Sequence, residues 1–353
     1  MLTRRSFAAS TLSASLAAQQ APAWSVIHKL ESGTLLTACA GNPQALALAA
    51  SEPAARIFFF PGNDWSELPE SASSVAITEG VVWITGASGL WRSSDRGKHW
   101  RRVHEAARLA MIQFADEQTG YALGAEKTIL ETRDGGATWN DLPAAEFPST
   151  SPESTVYHWV DFATPRVGLI TGVSRPSRRG ATGPLPAWRD PKGKDRRPEW
   201  PAASITLETR DGGVTWKHST TSLFGRITRA RYTREGRGLA LVEFHDRFEF
   251  PSEVFSIDLR SGKSERVFRR TDRAVTDVLL SKNGGALLAA IAPPRNPAQS
   301  TLGTVHVLAS RDLSSWEEQP LPEPFYAGRV WLLDSDPVLL VTDTGVVLQA
   351  SPR

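Results

Sequence analysis

An eight-residue pattern that occurs three times, and once more in shortened form, constrains the fold of this chain more than any other feature. Each full copy holds a Ser or Thr, an Asp, a Gly and a final Trp in the spacing S/T-x-D-x-G-x-x-W. The full copies span Ser93–Trp100, Thr132–Trp139 and Thr209–Trp216, and the shortened copy spans Ser310–Trp316. This spacing is the Asp-box, which indicates a β-hairpin turn.

Each position of the pattern has a mechanical reason. The Asp carboxylate can accept hydrogen bonds from the Ser or Thr hydroxyl and from N–H groups of the loop. Glycine supplies the positive φ that a tight hairpin needs. The Trp begins the next strand and lays its ring over the junction with a neighbouring sheet. We therefore predict structural roles in hairpin turns for Asp95, Gly97, Trp100, Asp134, Gly136, Trp139, Asp211, Gly213, Trp216, Asp312 and Trp316.

The spacing of the boxes gives the period of the repeat. Asp95 and Asp134 are 39 residues apart, and Asp134 and Asp211 are 77 apart, of which 30 form a Pro-rich, charged stretch at 174–203. The remaining 47 residues are one repeat, and the 101 residues from Asp211 to Asp312 are two. Repeats of this length, each with several short strands, are typical of β-propeller blades. Seven blades fit the chain best, and six are the competing count.

The two ends of the chain are predicted to share a blade. The C-terminal segment offers three strands, at Val330, Val338 and Val346, and the fourth strand of that blade is missing there. A candidate strand, Ser25–Leu30, lies near the other end of the chain. Its pairing into the last blade would close the ring and remove exposed sheet edges. We therefore predict an all-β, seven-bladed propeller of four-stranded antiparallel blades, closed by an N-terminal strand.

The first 23 residues have the pattern of an export signal. Arg4 and Arg5 precede Phe7 and an apolar, Ala-rich and Ser-rich stretch, and Ala21-Pro-Ala23 is a cleavage pattern of small residues. The paired arginines resemble the twin-arginine signal of bacteria. The sequence therefore predicts a signal peptide at 1–23, one propeller domain at 24–353, and a periplasmic or secreted location.

Composition excludes several classes of protein. The formal net charge is only +2, which argues against nucleic-acid binding driven by overall charge. A single Cys excludes a disulfide framework and a Cys-based zinc cluster, and the seven His residues show no metal-ligand spacing. No continuously apolar run is as long as a membrane span. We expect a monomer with no metal, no cofactor, no nucleic-acid partner and no membrane span.

Two stretches around the boxes resemble a known family. They run from Met111 to Trp139 and from Trp159 to Trp216, with phrases such as Leu-Glu-Thr-Arg-Asp-Gly-Gly-x-Thr-Trp in both. They resemble the photosystem II stability and assembly factor family of seven-bladed propellers. This resemblance implies a non-enzymatic scaffold that holds a partner protein on its propeller face, with an arginine patch taking part. Here we expect that partner to lie in the cell envelope.

Two basic features are candidates for partner binding. The insertion at 174–203 carries eight Arg and Lys residues against three acidic ones, together with two Trp residues. A cluster of arginines also flanks the predicted inner strand of the fifth blade, where the side chains either reach the channel mouth or pair with acidic residues of adjacent blades. Arg with Trp is a pairing favoured at protein interfaces. The predicted partner-binding residues are Arg178, Arg179, Trp188, Arg196, Arg197, Arg229 and Arg231.

The alternative function is a sialidase-like glycoside hydrolase or a glycan-binding propeller, because sialidases share the Asp-box. Such a site needs arginines that grip a carboxylate, a Tyr nucleophile with a Glu, and an acid/base Asp. The available residues are Arg56, Glu243, Arg295 and Tyr326. We predict that none of these four residues is catalytic, because Arg56 falls late in its blade, where its side chain faces outward.

Overall fold

The computed structural model describes residues 24–62, 64–175, 201–244, 250–280, 285–294 and 301–351. In these ranges the regular structure is β-strand, apart from two short 3-10 helices, Pro143–Glu146 and Pro152–Ser154. None of the helices found there has the length and apolar character needed to cross a membrane. The predicted signal peptide at 1–23 lies outside the described residues.

The strands follow one another in groups of four along the chain. The first group of the ring is preceded by a single strand, β1 (Trp24–Lys29). In chain order the remaining strands of the first four groups are β2 (Leu35–Asn42), β3 (Ala45–Glu52), β4 (Arg56–Phe60), β5 (Trp65–Glu67), β6 (Ser74–Thr78), β7 (Val81–Thr85), β8 (Gly89–Ser93), β9 (Arg101–Glu105), β10 (Leu109–Phe114), β11 (Gly120–Gly124), β12 (Ile129–Thr132), β13 (Asn140–Asp141), β14 (Thr155–Thr164), β15 (Val167–Ser174), β16 (Ala202–Thr209) and β17 (Lys217–Leu223).

The later strands continue the same arrangement. They are β18 (Arg226–Tyr232), β19 (Arg237–Glu243), β20 (Ser252–Asp258), β21 (Lys263–Arg269), β22 (Ala274–Leu280), β23 (Ala286–Ala292), β24 (Gly303–Ser310), β25 (Glu317–Gln319), β26 (Tyr326–Ala327), β27 (Val330–Leu333), β28 (Leu339–Thr342) and β29 (Val346–Ala350).

Seven antiparallel sheets form a closed ring of blades. Blades one to six begin at β2, β6, β10, β14, β18 and β22, and each places four strands side by side in chain order. In blade six the short strand β26 also pairs with β24. The first strands of all seven blades contact one another in sequence around the ring, including β27 of the seventh blade with β2 of the first. These first strands are therefore the inner strands, and they surround a central channel. The prediction of seven blades is confirmed, and the six-bladed alternative is wrong.

The seventh blade joins both ends of the chain, as predicted. Its strand order is β27-β28-β29-β1, so that β1 is the outer strand. The pairing runs from Trp24 opposite Ala350 to Lys29 opposite Val346, with one bulge. Trp24 is buried at 2 % exposure and packs in a cluster with Val305, Phe325 and other apolar residues of blades six and seven. The ring is closed by this strand pair and by the Trp24 side chain.

The apolar core lies between blades. In one cluster, the ring of Tyr121 in blade three stacks on Phe162 of blade four at 5.2 Å between centroids. Phe162 in turn lies across from Gly168 in its own sheet, where a Cβ would sit 2.3 Å from the ring. The same pairing of an aromatic ring with a glycine joins Phe114 to Gly120. Glycine at these positions makes room for the aromatic rings that fill the gap between blades.

The antiparallel order fixes which connections share an end of the ring. Each inner strand begins where the chain arrives from the preceding blade, and we call this the inter-blade end. The connections between second and third strands lie at the same end, and the Asp-box turns lie at the opposite one, the Asp-box end. The basic insertion leaves blade four at the inter-blade end. Because Ser174 and Ala203 are paired strand residues, the predicted insertion limits 174–203 overlap the ends of β15 and β16.

Candidate functional site

The Asp-box turns are held by a repeated set of hydrogen bonds. In the third box, the Thr209 hydroxyl donates to Asp211 Oδ1 at 2.9 Å and accepts the N–H of Gly213 at 2.8 Å. Both the N–H and the hydroxyl of Thr215 donate to the Asp211 carboxylate. Asp95 and Asp134 have equivalent partners in the first and second boxes. The hydrogen bonds that these carboxylates accept therefore come from donors within the turn.

The hydrogen bonds within the boxes lower the pKa of the Asp carboxyl groups. The hydroxyl of Thr138 donates to Asp134 and lowers the pKa of that carboxyl to about 2. The Thr215 hydroxyl does the same for Asp211, whose pKa is also about 2. The pKa of Asp312, in the shortened box, lies below its ordinary value because the N–H of Ser315 donates to it. A carboxylate of this kind is a poor proton donor at neutral pH, which fits a structural role.

The Trp of each box packs against the preceding blade. The Trp100 indole N–H donates to the carbonyl of Glu67, and that of Trp316 donates to the carbonyl of Val267. The ring of Trp139 meets Trp83 edge-on at 5.8 Å. The boxes thus fasten neighbouring blades together at the Asp-box end.

The central channel is a cavity of about 460 Å³. Inner strands of all seven blades line it, but its two sides differ. Blades one to three contribute mainly small and apolar residues, such as Ala40, Ala76 and Met111. Blades four to seven contribute His158, Trp159, Arg226, Arg229, Arg231, Asp277, Arg329, Trp331 and Asp334. Charge in the channel is therefore confined to one side.

Two arginines deep in the channel are fixed by ion pairs between blades. The Arg229 Nε lies 3.2 Å from Asp277 Oδ1, and Arg231 Nη1 lies 2.8 Å from Asp161 Oδ1. Both guanidinium groups also lie over the ring of Trp159, at 4.5 and 5.1 Å from its centroid. The sequence left two alternatives for these arginines, and the structure shows both at once: they line the channel, and they pair with acidic residues of adjacent blades.

Burial and pairing act in opposite directions on the acidity of these groups. Burial lowers the pKa of Arg229 below its ordinary value, against the attraction of Asp277. For Arg231 burial also lowers the pKa, but the negative charges of Asp161 and Asp277 outweigh it and the net shift is upward. Burial raises the pKa of Asp161. In this buried site, each of these groups therefore depends on the opposite charge of its partner to stay ionised.

Asp277 connects three blades through one carboxylate. Its Oδ1 accepts the Arg229 Nε–H from blade five and the N–H of Val278 in its own strand, and its Oδ2 accepts the N–H of Leu332 in blade seven at 2.9 Å. The side chain is only 3 % exposed. A buried carboxylate with this many donors is satisfied, so Asp277 and Arg229 form a fixed part of the channel wall.

Two further arginines stand at the inter-blade end of the channel, and we call Arg226 and Arg329 the basic mouth. Arg226 is the first residue of β18, and Arg329 directly precedes β27. The Arg226 Nη2 lies 3.6 Å from Glu243, a long and half-exposed ion pair. Arg329 is exposed, lies 5.9 Å from the centroid of Trp331, and forms no ion pair within the described ranges. These two guanidinium groups keep donors available to a ligand.

The thiol and the imidazole that line the channel are neutral. Burial raises the pKa of the Cys39 thiol far above its ordinary value, and burial lowers the pKa of His158. The His158 Nε2 lies 2.6 Å from the carbonyl oxygen of Ile227, so this nitrogen carries the proton and donates. In the part of the chain that is described, no three His, Cys, Asp or Glu side chains are grouped so as to hold a metal ion. The channel offers hydrogen-bond donors and rings rather than an activated nucleophile.

The other predicted site residues lie elsewhere. Five of the predicted partner-binding residues, Arg178, Arg179, Trp188, Arg196 and Arg197, fall outside the described residues.

Of the residues considered for a sialidase-like site, Arg56 is on the third strand of blade one, where it pairs with Glu31 and lies 3.9 Å from the ring centroid of Trp65. Glu243 ends the second strand of blade five, and Tyr326 lies on β26 beside blade six. None of Arg56, Glu243 and Tyr326 lines the channel, and Arg295 lies outside the described residues.

Sequence reasoning missed Trp159, Asp277, Arg329 and Trp331. A signal for Trp159 and Asp277 exists in the register of the inner strands. A bulge falls directly before each of them, between Tyr157 and Trp159 and between Val275 and Asp277, and another precedes Arg229. A bulge changes the face on which the following residues lie. Alternation read from the sequence alone therefore does not show which face these residues take.

Comparison with known proteins supports one resemblance in sequence and fold. The family model described as Photosynthesis system II assembly factor YCF48 matches residues 102–174, from blade two into blade four. A solved structure of YCF48 bound to D1 peptide is 15 % identical, covers 94 % of this chain and 96 % of its own, and has a TM-score of 0.59. For YCF48 from Cyanidioschyzon merolae the identity is 13 %, the coverage 93 % and 98 %, and the TM-score 0.57.

Other similarities are to a lyase and to a protein-sorting protein. Virginiamycin B lyase from Staphylococcus aureus, 9 % identical, covers 94 % of this chain and 98 % of its own at a TM-score of 0.57. Vacuolar protein sorting/targeting protein 10 from Aspergillus fumigatus is 29 % identical over 102 residues, which is 27 % of this chain and 7 % of that protein's length. At such identities the solved structures show the fold alone. The chain is a seven-bladed β-propeller that resembles the photosystem II assembly factor, in sequence over residues 102–174 and in fold over nearly all of its length.

Proposed function

We propose that this protein is a non-enzymatic scaffold that binds a segment of another protein at the basic mouth of its channel. The observation that carries the proposal is the pair of partly free guanidinium groups, Arg226 and Arg329, at one end of a channel of about 460 Å³. Below them, Trp159 and Trp331 provide aromatic surface. Arginine and tryptophan contribute a large share of binding energy at protein interfaces.

The rigid ring supports this function because it presents the site ready formed. Arg229 is held by Asp277, and Arg231 by Asp161, so neither side chain has to be ordered when a partner binds. A preformed site loses less conformational entropy on binding than a flexible one. The neighbouring fold of YCF48, solved with D1 peptide bound, shows that a propeller of this shape accommodates a peptide in that protein.

The partner segment we expect is acidic or ends in a carboxylate. Guanidinium groups form bidentate hydrogen bonds with carboxylates, and the exposed Arg329 is placed to make them. The apolar side of the channel, with Ala76 and Met111, suits the aliphatic part of the same segment. A binding segment with both features uses both walls of the channel.

The experiment is affinity capture from an envelope extract with three forms of the protein. The double variant Arg226→Glu/Arg329→Glu reverses the charge of the basic mouth. Arg311→Glu is the matched control, because Arg311 is an exposed arginine at the Asp-box end. We expect the wild type and Arg311→Glu to capture the same protein and the double variant to lose it. Equal capture by all three forms, or capture of no specific protein, contradicts the proposal.

We also propose that the insertion adds specificity to this interaction. The strands that flank it end at the inter-blade end of the ring, as the basic mouth does, and the sequence between them is rich in Arg and Trp. Deletion of residues 176–200, joined by a short Gly-Ser linker, leaves the paired residues Ser174 and Ala203 in place. We expect weaker capture of the same partner. Unchanged capture would remove the insertion from the proposal and leave the basic mouth.

The proposed place of action is the cell envelope, reached by the twin-arginine route. The support is the sequence at residues 1–23, with Arg4 and Arg5 before an apolar stretch. Replacing both by Lys is expected to retain the full-length precursor in the cytoplasm, as seen by cell fractionation and immunoblotting. A periplasmic product from this variant would contradict export by that route.

A further inference from the structure

The outer strand of blade four differs from the other outer strands of the ring. β17 (Lys217–Leu223) pairs with β16 along its whole length without a register shift, and six of its seven residues are exposed. Within the described ranges, β16 is the strand with which β17 pairs. Its other edge therefore presents a row of backbone N–H and C=O groups, which is a template for another strand.

The other outer strands carry features that discourage such pairing. Three are short: β5 and β25 have three residues each, and β13 has two. β9 and β21 contain several charged residues, and β21 also has a register shift. β1 is interrupted by a bulge after Val26. Short length, charge and bulges are the means by which proteins protect sheet edges, and β17 has none of them apart from Lys217 at its start.

Exposed apolar side chains cluster around this unprotected edge. Five large apolar side chains are prominently exposed in the described chain, and three of them lie near β17. Val214 precedes the strand and is 76 % exposed, Phe224 directly follows it, and the ring of Phe147 lies 6.0 Å from the ring of His218. An edge flanked by exposed apolar groups is typical of an interaction surface.

In place of the monomer expected from the sequence, we infer that this edge binds β17 of a second copy of the chain, in an antiparallel, two-fold symmetric pair centred on Thr220. The strand sequence Lys-His-Ser-Thr-Thr-Ser-Leu is complementary to itself in this register. Thr220 lies opposite Thr220 of the other copy, and Ser219 lies opposite Thr221. Cross-strand pairs of Thr and Ser stabilise antiparallel sheets through hydrogen bonds.

The same register avoids contact between like charges and brings apolar side chains together at the two ends of the paired strands. Lys217 of one copy faces Leu223 of the other, so no like charges meet. Phe224 of one copy lies opposite Trp216 of the other, two residues from the exposed Val214, so the exposed apolar side chains at each end come close together. A two-fold pairing of this kind uses the same surface on both copies and closes on itself. It extends two four-stranded blades into one sheet of eight strands at the rim and leaves the basic mouth free.

The first test is the mass of the full chain by sedimentation equilibrium over a range of concentrations. We expect a reversible monomer–dimer equilibrium for the wild type. Thr220→Lys places two like charges opposite each other and is expected to raise the dimer dissociation constant about tenfold or more. Ser264→Lys, an exposed change on the outer strand β21, is the matched control and is expected to have no effect. A chain that stays monomeric at every concentration overturns the inference.

A second measurement distinguishes this pairing from any other mode of dimerisation. Thr220→Glu alone is expected to be as weak a dimer as Thr220→Lys, whereas a mixture of the two variants forms a heterodimer because the opposite charges now face each other. Thr220→Cys is expected to form an intermolecular disulfide, because directly opposed residues of antiparallel strands have Cα atoms within bonding range. If none of the three substitutions changes dimerisation, the interface lies elsewhere and the inference is contradicted.

Discussion

Asp134 illustrates how much of this fold depends on single side chains in the hairpin turns. Its carboxylate accepts the hydroxyl of Thr132 and both donors of Thr138, and the hydroxyl of Thr132 accepts the N–H of Gly136 in return. The predicted hydrogen bonds to the carboxylate, from the hydroxyl and from the loop N–H, are present. The acceptance of the Gly N–H by the Thr hydroxyl adds a bond that the sequence argument did not include.

Gly136 provides a test of the turn at this scale. A Cβ there would lie 2.1 Å from the Trp83 ring of the preceding blade, and φ is +84°. We expect Gly136→Ala to lower the free energy of unfolding by about 3 kcal/mol, the sum of overpacking and backbone strain. Gly80 has φ +81° with open space around it, so Gly80→Ala isolates the strain and should cost only about 1 kcal/mol. Equal losses in urea unfolding would show that the blade junction is not tightly packed at Gly136.

The boxes also predict how stability depends on pH. In the fold the pKa of Asp134 and of Asp211 is about 2, whereas an Asp in an unfolded chain titrates near 3.9. The unfolded chain therefore binds more protons between these values, so the stabilisation is complete above about pH 4 and is lost as the pH falls towards about 2. Asp134→Asn removes one such titration. Its melting temperature should fall less steeply in that window, and an unchanged slope would contradict the assignment.

At the scale of the elements, the inner strands decide what the channel presents. Five of them pair with their neighbours through a bulge near their start, and the residue that follows it in three of the blades is Trp159, Arg229 or Asp277. These three side chains join blades four, five and six in one cluster of ion pairs and aromatic contact. The charged side of the channel therefore holds neighbouring blades together in addition to offering a surface to ligands.

Removing Asp277 should reveal its structural part. Asp277→Ala leaves Arg229 buried without its partner and is expected to lower the free energy of unfolding by about 3–5 kcal/mol. The double variant Asp277→Leu/Arg229→Met should recover most of this loss. Asp334, an exposed carboxylate that also lines the channel, is the control, and Asp334→Ala should change stability by less than about 0.5 kcal/mol. A single variant as stable as the wild type would show that the pair contributes little.

The sequence predicted the elements well and the site only in part. Box residues such as Asp211 and Trp216 act within a few residues of each other, so their local geometry follows from the motif. Arg229 and Arg231 could be recognised as candidates because they stand in an arginine-rich strand. Trp331 and Arg329 could not, because what faces the channel depends on where each inner strand sits in the ring. That position is set by packing between blades that lie far apart in the chain.

At the scale of the whole molecule, the ring is closed by residues from both ends of the chain. β1 adds the outer strand of the seventh blade, and it could be predicted because the C-terminal segment was one strand short. The burial of Trp24 between blades six and seven was not predicted, because its neighbours in the fold are far from it in the sequence. Ring closure therefore depends on an aromatic anchor as well as on strand pairing.

Trp24 provides the test of closure. Trp24→Ala removes a side chain that is 2 % exposed and should lower the free energy of unfolding by about 3–5 kcal/mol. Ser25, the exposed neighbour in the same strand, is the control, and Ser25→Ala should be close to neutral. Chemical denaturation followed by tryptophan fluorescence and circular dichroism measures both. A stability unchanged by Trp24→Ala would mean that the Trp24 side chain does not anchor the closure of the ring.

The central claim is that a partner protein binds at the basic mouth, and site-specific photo-crosslinking in living cells tests it most directly. A photoreactive amino acid is placed at position 331 inside the mouth, or at position 311 at the Asp-box end, and covalent adducts are identified by mass spectrometry. We expect one specific protein adduct from position 331 and none from position 311. Adducts from position 311 alone, or from neither position, would contradict the claim.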